Sequence, residues 1–447
     1  MNILLTVHIF FPENSAGTEV LTLGVAKDLI SRGHTVNVLT VSAFTDFDDR
    51  DDKVVEYDYE GVHVIAVKKT PANNDSGAVD VERFYYDRDV TEIFRSLMER
   101  IRPDIVHFFH FNNLGTGMIE VVNSLDIPAY FTPTDFWTIC PQVQLRLPSG
   151  DVCRGPSEGA GNCVLHFAAI TKGPAISKTV RVIPDFISDA LVKIIDSRYF
   201  PSLTIKKQVA DVHKRLGVNV NLINTLRGIF SPTKLMTDIL TVNGIDKSLV
   251  IQSPFGIDIS PYSSCKHKNI TDVDEMVIGF IGSLESHKGC HVLIDAFQEI
   301  RSDRVKLRIY GDNTVESEYL SQLYKKAENN DSIEFCGTFP NKDIAEILSN
   351  IHVLVIPSQW YENTPLVMLS SMAAKCPIIA SDYPGLSEVV VDGHNGNLFC
   401  SKDVGQLRDI LEGLNINRHR INEMSANCMM PKSSSAYVDE MVSIYIK

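Results

Sequence analysis

Four consecutive residues, Glu362, Asn363, Thr364 and Pro365, separate an apolar segment that ends at Ile356 from a second apolar segment, LVMLSSMAA. Threonine often caps helices, and proline is favoured at the first helical position, so we predict a helix that begins at Pro365. The free N–H groups at a helix N-terminus bind anions such as a diphosphate. The Glu362 carboxylate can accept hydrogen bonds from hydroxyl groups of the same ligand. The alternative is a capped surface helix without a ligand.

Polar side chains in the first half follow two segments that the pattern predicts to be strands. His107 and His110 stand at the end of PDIVHFFH, and Asp135 follows IPAYFTPT. The carboxyl ends of parallel strands border the crevice in which α/β sheets bind ligands, so we expect all three side chains there. For each histidine, a structural role and a catalytic role are both open.

Three cysteines and a histidine lie close together in the sequence: Cys140, Cys153, Cys163 and His166. Thiolate and imidazole are the ligands that tetrahedral zinc prefers, and four of them can close a structural site. Their spacing is irregular, however, and a buried free thiol is an ordinary state of cysteine. The sequence therefore leaves two alternatives, a structural zinc site or free thiols.

Strands and helices alternate in both halves of the chain and would position these residues. In the first half, the apolar run 3–11 is followed by apolar residues at every fourth position from Leu21 to Leu29, which predicts a strand and then a helix capped by Thr18. In the second half, VIGFIG at 277–282 begins the same alternation. This order predicts an α/β fold with a parallel, doubly wound sheet in each half.

We place the first domain at residues 1–252 and the second at 253–425, with a Pro-, Ser- and Gly-rich hinge that begins at Ser253. Residues from about 150 to 234 are predicted to be a helical insertion in the first domain. From Ile176 to Lys234 ten Lys or Arg stand against four Asp, although the chain is acidic as a whole. The insertion is either a solvated helical layer packed on the first domain or a surface for a membrane or an anionic acceptor.

The composition excludes several classes of protein. A chain of 447 residues with 44% apolar residues can bury two α/β cores, and a net charge of −14 is unsuited to general nucleic acid binding. No segment approaches the roughly 18 to 20 consecutive apolar residues that span a bilayer, and no basic leader precedes the first strand. We therefore expect a cytoplasmic protein with reduced cysteines, in contact with a membrane only at its surface.

The segment from Ile356 to Phe399 resembles the retaining GT-B glycosyltransferases of family 4, glycosyltransferase group 1, of the bacterial surface-polysaccharide type. In that family a Glu precedes a helix, and Gly-x-x-Glu follows a later strand. The resemblance covers nearly the whole chain. It implies a GT-B fold, with two Rossmann-like domains that face each other across a cleft. The first would bind the acceptor and the second a nucleotide sugar, and a last helix within 426–447 would return to the first domain.

The resemblance also implies roles for single residues. The segment GSLESHKG at 282–289 resembles the family's glycine turn with cations that clamp the donor diphosphate, and Lys288 is retained there. Ser283 stands where arginine is common, and Ser370 stands where a second Glu usually holds the ribose. The donor-binding residues expected on this basis are Gly17, Gly282, Ser283, Lys288, Asn363, Thr364, Pro365, Leu366 and Ser370.

The implied reaction moves a sugar from a UDP- or GDP-sugar to a glycan or lipid-linked oligosaccharide for O-antigen or capsule, with retention of configuration. The leaving diphosphate would act as the base, without a required metal or cofactor. The catalytic residues expected are Glu362, Asp135 and His110, although Thr134 stands where relatives often have a histidine. The expected partners are the nucleotide sugar, that acceptor and the anionic inner face of the membrane, but no nucleic acid. The rivals are a non-catalytic nucleotide-sugar-binding homologue or scaffold, and an epimerase or hydrolase.

Overall fold

The computed structural model describes residues 1–42, 53–68, 79–147, 149–172, 183–201 and 203–447, with the backbone alone for 170–172. The described chain divides into two compact units. The first comprises Met1–Pro254 and Ser434–Lys447, and the second comprises Phe255–Ser433. Each unit contains one open sheet with helices around it, so the predicted α/β class is confirmed.

The sheet of the first unit has the strand order β3-β4-β2-β1-β5-β6-β7-β8. All neighbouring strands are parallel except the antiparallel pair β3 and β4. The strand order reverses between β1 and β5, which is where α/β sheets open a crevice for a ligand. The strands are β1 (Asn2–Thr6), β2 (Thr35–Ser42), β3 (Val54–Tyr59), β4 (Val62–Lys68), β5 (Ile105–Phe108), β6 (Ala129–Phe131), β7 (Gly228–Ser231) and β8 (Val250–Gln252).

Helices cover the sheet of the first unit. The first helix begins at Gly17 with Ala16 as its N-cap, so Thr18 lies inside the first turn and the predicted Thr18 cap is wrong. The last helix of the chain packs against this first helix. The helices are α1 (Gly17–Ser31), α2 (Arg88–Ile101), α3 (Gly117–Ser124), α4 (Gly161–Lys172), α5 (Asp185–Asp196), α6 (Thr204–Ile223), α7 (Lys234–Val242) and, at the C-terminus, α14 (Ser434–Tyr445).

The sheet of the second unit has the order β11-β10-β9-β12-β13-β14, and all its strands are parallel. Its strand order reverses between β9 and β12. The strands are β9 (Met276–Ile281), β10 (Val305–Tyr310), β11 (Ile333–Gly337), β12 (Val353–Ile356), β13 (Ile378–Ser381) and β14 (Gly396–Phe399). The helices are α8 (Cys290–Gln298), α9 (Glu318–Ala327), α10 (Ile344–Ser349), α11 (Leu366–Ala373), α12 (Val404–Ile416) and α13 (His419–Ala426).

From Phe255 onward, the segment predicted as a hinge is part of the second unit. Phe255, Ile257, Tyr262 and Ile270 are buried there, because apolar side chains in this segment complete the core of that unit. The segment that returns to the first unit begins at Ser434, eight residues later than position 426, since α13 and the residues after it belong to the second unit.

The predicted insertion is shorter than expected, because β7 is a strand of the main sheet. Its helices α5 and α6 pack on each other, and α6 also packs on α3. Phe186, Leu191 and Ile194 on α5 are exposed apolar residues. Residues 176–182, which belong to the basic segment, lie outside the described residues. No helix in the described ranges is long and apolar enough to span a bilayer.

Candidate functional site

Lys288 and Glu362 meet at the strand-order reversal of the second unit. Lys288 lies in the turn that follows β9, and Glu362 lies in the loop that follows β12. The Lys288 Nζ is 2.8 Å from Glu362 Oε1. The crevice predicted by the topology therefore contains an ion pair from the two loops that flank it.

The Glu362 carboxylate is buried and held by three donors. Besides Lys288, the Ser358 hydroxyl donates to Oε1 at 2.6 Å, and the Trp360 indole N–H donates to it at 2.8 Å. Burial alone would raise the pKa of Glu362, but the Lys288 cation and these hydrogen bonds hold it below its ordinary value. The carboxylate is therefore ionised at neutral pH.

A glycine brings the Lys288 turn against the end of β12. Gly289 has a φ of +74°, and a Cβ at this position would lie 1.9 Å from the Pro357 carbonyl oxygen. Only glycine tolerates both the left-handed conformation and this close approach. The Gln359 N–H also donates to the His287 carbonyl oxygen at 2.7 Å, so the two loops are joined through their backbones.

The helix after Glu362 begins one residue later than predicted. Pro365 is the N-cap of α11, and Thr364 has a φ of +53° rather than acting as the cap. A β-branched residue rarely adopts this conformation, and such strain concentrates at functional sites. Proline has no side-chain acceptor, so the first N–H groups of α11 receive no cap from it.

The other predicted donor-binding residues have varied positions. Gly282 and Ser283 follow β9 directly, and Ser283 is exposed. Ser370 is buried in α11, where its hydroxyl shares a hydrogen bond with the Tyr262 hydroxyl. Asn363 and Leu366 are half-buried beside Glu362 in the sequence, whereas Gly17 belongs to the first unit, where it is exposed as the first residue of α1.

His110 and Asp135 form a hydrogen-bonded pair in the first unit. His110 follows β5 and Asp135 follows β6, and His110 Nε2 is 2.5 Å from Asp135 Oδ2. The Asn112 N–H donates to His110 Nδ1 at 2.9 Å, so Nε2 carries the proton that is donated to Asp135. Burial would raise the pKa of Asp135, but His110 and the Trp137 N–H hold it below its ordinary value.

Two residues beside this pair were not predicted from the sequence. The His8 ring, which follows β1, packs against the His110 ring with 4.1 Å between centroids and 33° between the ring planes. The His8 Nδ1 is 3.7 Å from Oε1 of Glu19, a fully buried residue in the first turn of α1. The signal in the sequence was a polar residue in the apolar run 3–11, together with a glutamate in the first helical turn.

His107 does not reach the crevice, and that expectation is wrong. It is fully buried within β5, where its Nε2 is 2.8 Å from the Thr132 hydroxyl and its Nδ1 is 2.6 Å from the Tyr445 hydroxyl. Burial lowers its pKa to about 3, so the ring is neutral. Its role is therefore structural, because it joins the sheet to α14.

A buried arginine fixes the turn that follows Asp135. Arg215, on α6, donates to the carbonyl oxygens of Trp137, Thr138 and Ile139, and its guanidinium lies 4.7 Å from the centre of the Trp137 ring. Burial lowers the pKa of Arg215 to about 10, which still leaves it charged at neutral pH. The cation thus binds the backbone of the loop that carries Asp135.

Cys140, Cys153, Cys163 and His166 line a single small cavity in the first unit. Within the part of the chain that the structure describes, however, no three His, Cys, Asp or Glu side chains are placed to hold one metal ion. Burial raises the pKa of all three thiols, which favours their protonated form. Zinc stays a prediction that metal analysis tests: one zinc per chain supports it, and none favours free thiols.

Comparisons with known proteins agree with this architecture. Residues 265–428 match the model of the glycosyl transferases group 1 family. An uncharacterized glycosyltransferase of Methanocaldococcus jannaschii is 32% identical over 30% of this chain and 37% of its own length. An uncharacterized 41.2 kDa protein in the cps region of Klebsiella pneumoniae is 24% identical over 40% and 48%. The chain thus spans less than half the length of these relatives, whereas a 42.6 kDa protein in the Klebsiella pneumoniae cps region is 19% identical over 87% of both chains.

Two solved structures show the same fold over the whole chain. Anabaena HepE in complex with UDP and glucose superposes with a TM-score of 0.65, at 16% identity over 99% of this chain and 98% of that one. The sucrose-phosphate synthase of Thermosynechococcus elongatus gives a TM-score of 0.66, at 15% identity over 100% and 98%. Residues 265–428, which lie in the second unit, are therefore similar to the glycosyl transferases group 1 family, and the chain has the GT-B fold of these solved structures.

Proposed function

We propose that this chain is a retaining hexosyltransferase of family 4. It would move a sugar from a UDP- or GDP-sugar to a glycan or lipid-linked oligosaccharide during surface polysaccharide synthesis. The contact that carries the proposal is the Lys288–Glu362 ion pair at the strand-order reversal of the second unit, where Glu362 lies three residues before the N-cap of α11. The pair combines a cation for a diphosphate with a carboxylate for sugar hydroxyls.

The charges of Lys288 and Glu362 decide how a nucleotide sugar would bind. Lys288 and Glu362 neutralise each other, but the Lys288 side chain is 24% exposed, so its remaining N–H donors can reach a phosphate oxygen. The three hydrogen bonds that the described residues make to Glu362 all end on Oε1, which leaves Oε2 for a sugar hydroxyl. The uncapped N–H groups of α11 supply further positive potential for the second phosphate.

In the proposed reaction the acceptor hydroxyl attacks the anomeric carbon on the face from which the diphosphate leaves. The new glycosidic bond forms as the bond between sugar and phosphate breaks, and the hydroxyl proton passes to the leaving phosphate oxygen. Lys288 and the α11 N–H groups stabilise the charge that develops on the diphosphate, and Glu362 orients the sugar. These groups do the work of a metal ion, so we propose a metal-independent reaction.

The proposed acceptor and location have separate support. Relatives from a cps region favour surface polysaccharide as the product. The exposed apolar residues Phe186 and Ile194 of α5, and the excess of Lys and Arg over Asp in the segment 176–234, favour contact with the anionic inner face of a membrane by an otherwise cytoplasmic protein. Loss of sedimentation with anionic vesicles in Phe186→Ser is the expected result, and equal sedimentation of the variant would contradict this contact.

A calorimetric screen of UDP, GDP and their common sugars tests the donor site. We expect one nucleotide class to bind, and Lys288→Ala to weaken it at least ~10-fold, because a charge-assisted hydrogen bond to phosphate contributes about 1.5–3 kcal/mol. Lys326→Ala is the matched control, since Lys326 also pairs with a carboxylate, Asp295, but on the surface of α9.

The same samples separate the rival functions. A transferase consumes the bound nucleotide sugar fully only when an acceptor is added. An epimerase or hydrolase turns it over without an acceptor, and a non-catalytic homologue binds it without turnover. Equal affinity in wild type and Lys288→Ala would remove Lys288 from the donor site.

A further inference from the structure

His8 and Glu19 stand at the strand-order reversal of the first unit. His8 follows β1 by two residues, and His110 follows the neighbouring strand β5 by two residues. The two imidazoles pack against each other, with 33° between their planes, at the point at which an α/β sheet opens its ligand crevice. His8 is therefore placed to meet a ligand, and its side chain is 19% exposed.

Two buried polar atoms face each other behind this ring. The His8 Nδ1 and Glu19 Oε1 have no hydrogen-bond partner among the described residues, and they are 3.7 Å apart. A buried polar atom without a partner is disfavoured by several kcal/mol in an apolar medium, and native proteins rarely contain one. A rotation of the Glu19 carboxyl that moves Oε1 by about 1 Å would bring the two atoms into hydrogen-bond distance.

The groups around the pair decide which atom carries the proton. His110 and Asp135 are the charged or titratable neighbours, and the Glu19 carboxyl also accepts from the backbone N–H groups of Ala16 and of Glu19 itself. Burial raises the pKa of Glu19 to about 7 and lowers the pKa of His8 to about 3. Between these values both side chains are neutral, so they are an acid and a base with one proton to share rather than an ion pair.

We propose that the Glu19 carboxyl keeps its proton and donates a hydrogen bond to His8 Nδ1, so that His8 presents its Nε2–H to a hydroxyl oxygen of the sugar acceptor. This inference rests on the proposed function for the identity of the ligand. Glu19 is a positioning residue that acts through His8, and the His110 ring fixes the plane of the imidazole.

A neutral N–H donor suits the proposed reaction. A hydroxyl that accepts a hydrogen bond from His8 Nε2–H keeps its own proton, which remains available for the leaving phosphate oxygen. His8 thus orients the nucleophile without deprotonating it. A neutral imidazole protonated on Nδ1 would not present this arrangement, since its Nε2 would be an acceptor and its Nδ1–H would face Glu19.

Nitrogen NMR of the full chain with ¹⁵N-labelled histidine tests the pair without any substrate. The His8 signals are assigned by their loss in His8→Gln. Near pH 6 we expect His8 Nδ1 to be unprotonated and Nε2 to carry the proton. Glu19→Gln should retain the hydrogen bond to Nδ1, because its amide N–H donates to that atom, and Glu19→Leu should remove this bond and move the Nδ1 resonance to that of an imidazole nitrogen that accepts no hydrogen bond. Glu92→Gln, an exposed change on α2, is the control and should leave the His8 signals unchanged.

Infrared spectroscopy at the same pH should show the band of a protonated carboxyl that is missing in Glu19→Gln. A wild-type Nδ1–H tautomer, or an unchanged Nδ1 resonance in Glu19→Leu, would overturn the pairing. If the tautomer is as expected but no nucleotide sugar binds, the proposed function fails and the pairing stands.

With an acceptor that supports transfer, His8→Gln should raise the acceptor KM about 10-fold, the effect of one lost hydrogen bond, and leave the donor KM within about twofold. An unchanged acceptor KM would exclude His8 from the acceptor site.

Discussion

Replacing Glu19 by glutamine measures how strongly the fold holds a proton on this carboxyl. Burial raises the pKa of Glu19 from 4.5 to about 7, whereas the unfolded chain exposes the carboxyl to water. The fold therefore keeps the proton over a pH range in which the unfolded chain releases it. Since one pKa unit corresponds to ~1.4 kcal/mol, the shift amounts to about 3 kcal/mol.

The sign follows from the direction of the shift. A raised carboxyl pKa gives a stabilising contribution that is complete below pH 4.5 and is lost as the pH rises through about 7. Glu19→Gln cannot ionise, so it has no such pH dependence. Relative to the variant, the free energy of unfolding of the wild type should fall by about 3 kcal/mol between pH 4.5 and about pH 8.

Urea unfolding of the full chain at several pH values provides the measurement. The chain has two tryptophans, and a Trp360→Phe background leaves Trp137 as a fluorescence reporter within the first unit. Glu92→Gln, which changes an exposed glutamate on α2, is the matched control. Parallel curves of unfolding free energy against pH for the wild type and Glu19→Gln would refute the protonated carboxyl.

Three further changes test how the two loops are held. Glu362→Gln should keep the fold, lower the free energy of unfolding by about 1–3 kcal/mol at pH 7 and cut sugar transfer by about 100-fold or more. Because the fold lowers the pKa of Glu362, protonation of this carboxylate in acid should lower the free energy of unfolding of the wild type. The variant should lack this pH dependence, and denaturation at several pH values measures the difference. Gly289→Ala should destabilise by about 1–3 kcal/mol and weaken nucleotide binding in calorimetry, because its Cβ would meet the Pro357 carbonyl, whereas Gly393→Ala, with φ +71° and open space, should leave nucleotide binding unchanged. Arg215→Met should lower the free energy of unfolding by about 2–4 kcal/mol, because three carbonyl oxygens lose their donor, and an effect no larger than that of the exposed Lys214→Met would contradict this role.

The sequence predicted the strands and helices well where burial decides them. Apolar runs such as 277–282 became central strands because both faces of a parallel sheet are covered, and the alternation with helices gave the doubly wound topology. The pairing of Lys288 with Glu362 was not predicted, although both residues were chosen, because a contact across 74 positions depends on the order of the strands rather than on local pattern.

The errors have a common physical cause, since the tertiary environment of each residue differs from the one that its local sequence indicates. Thr364 looked like a helix cap from its residue type, but it is buried in the left-handed conformation, and the helix begins at Leu366. His107 looked like a crevice residue from its place at a strand end, yet the α14 helix covers it. Glu19 was missed because nothing local shows that a glutamate in a first helical turn will be fully buried beside His8.

A crystal structure of the chain with the nucleotide diphosphate selected by calorimetry tests the central claim most directly. The account predicts that one phosphate oxygen accepts a hydrogen bond from Lys288 Nζ and that the N-terminal N–H groups of α11 point at the diphosphate. A diphosphate bound elsewhere in the chain, with the Lys288–Glu362 pair unaltered and out of contact, would contradict it.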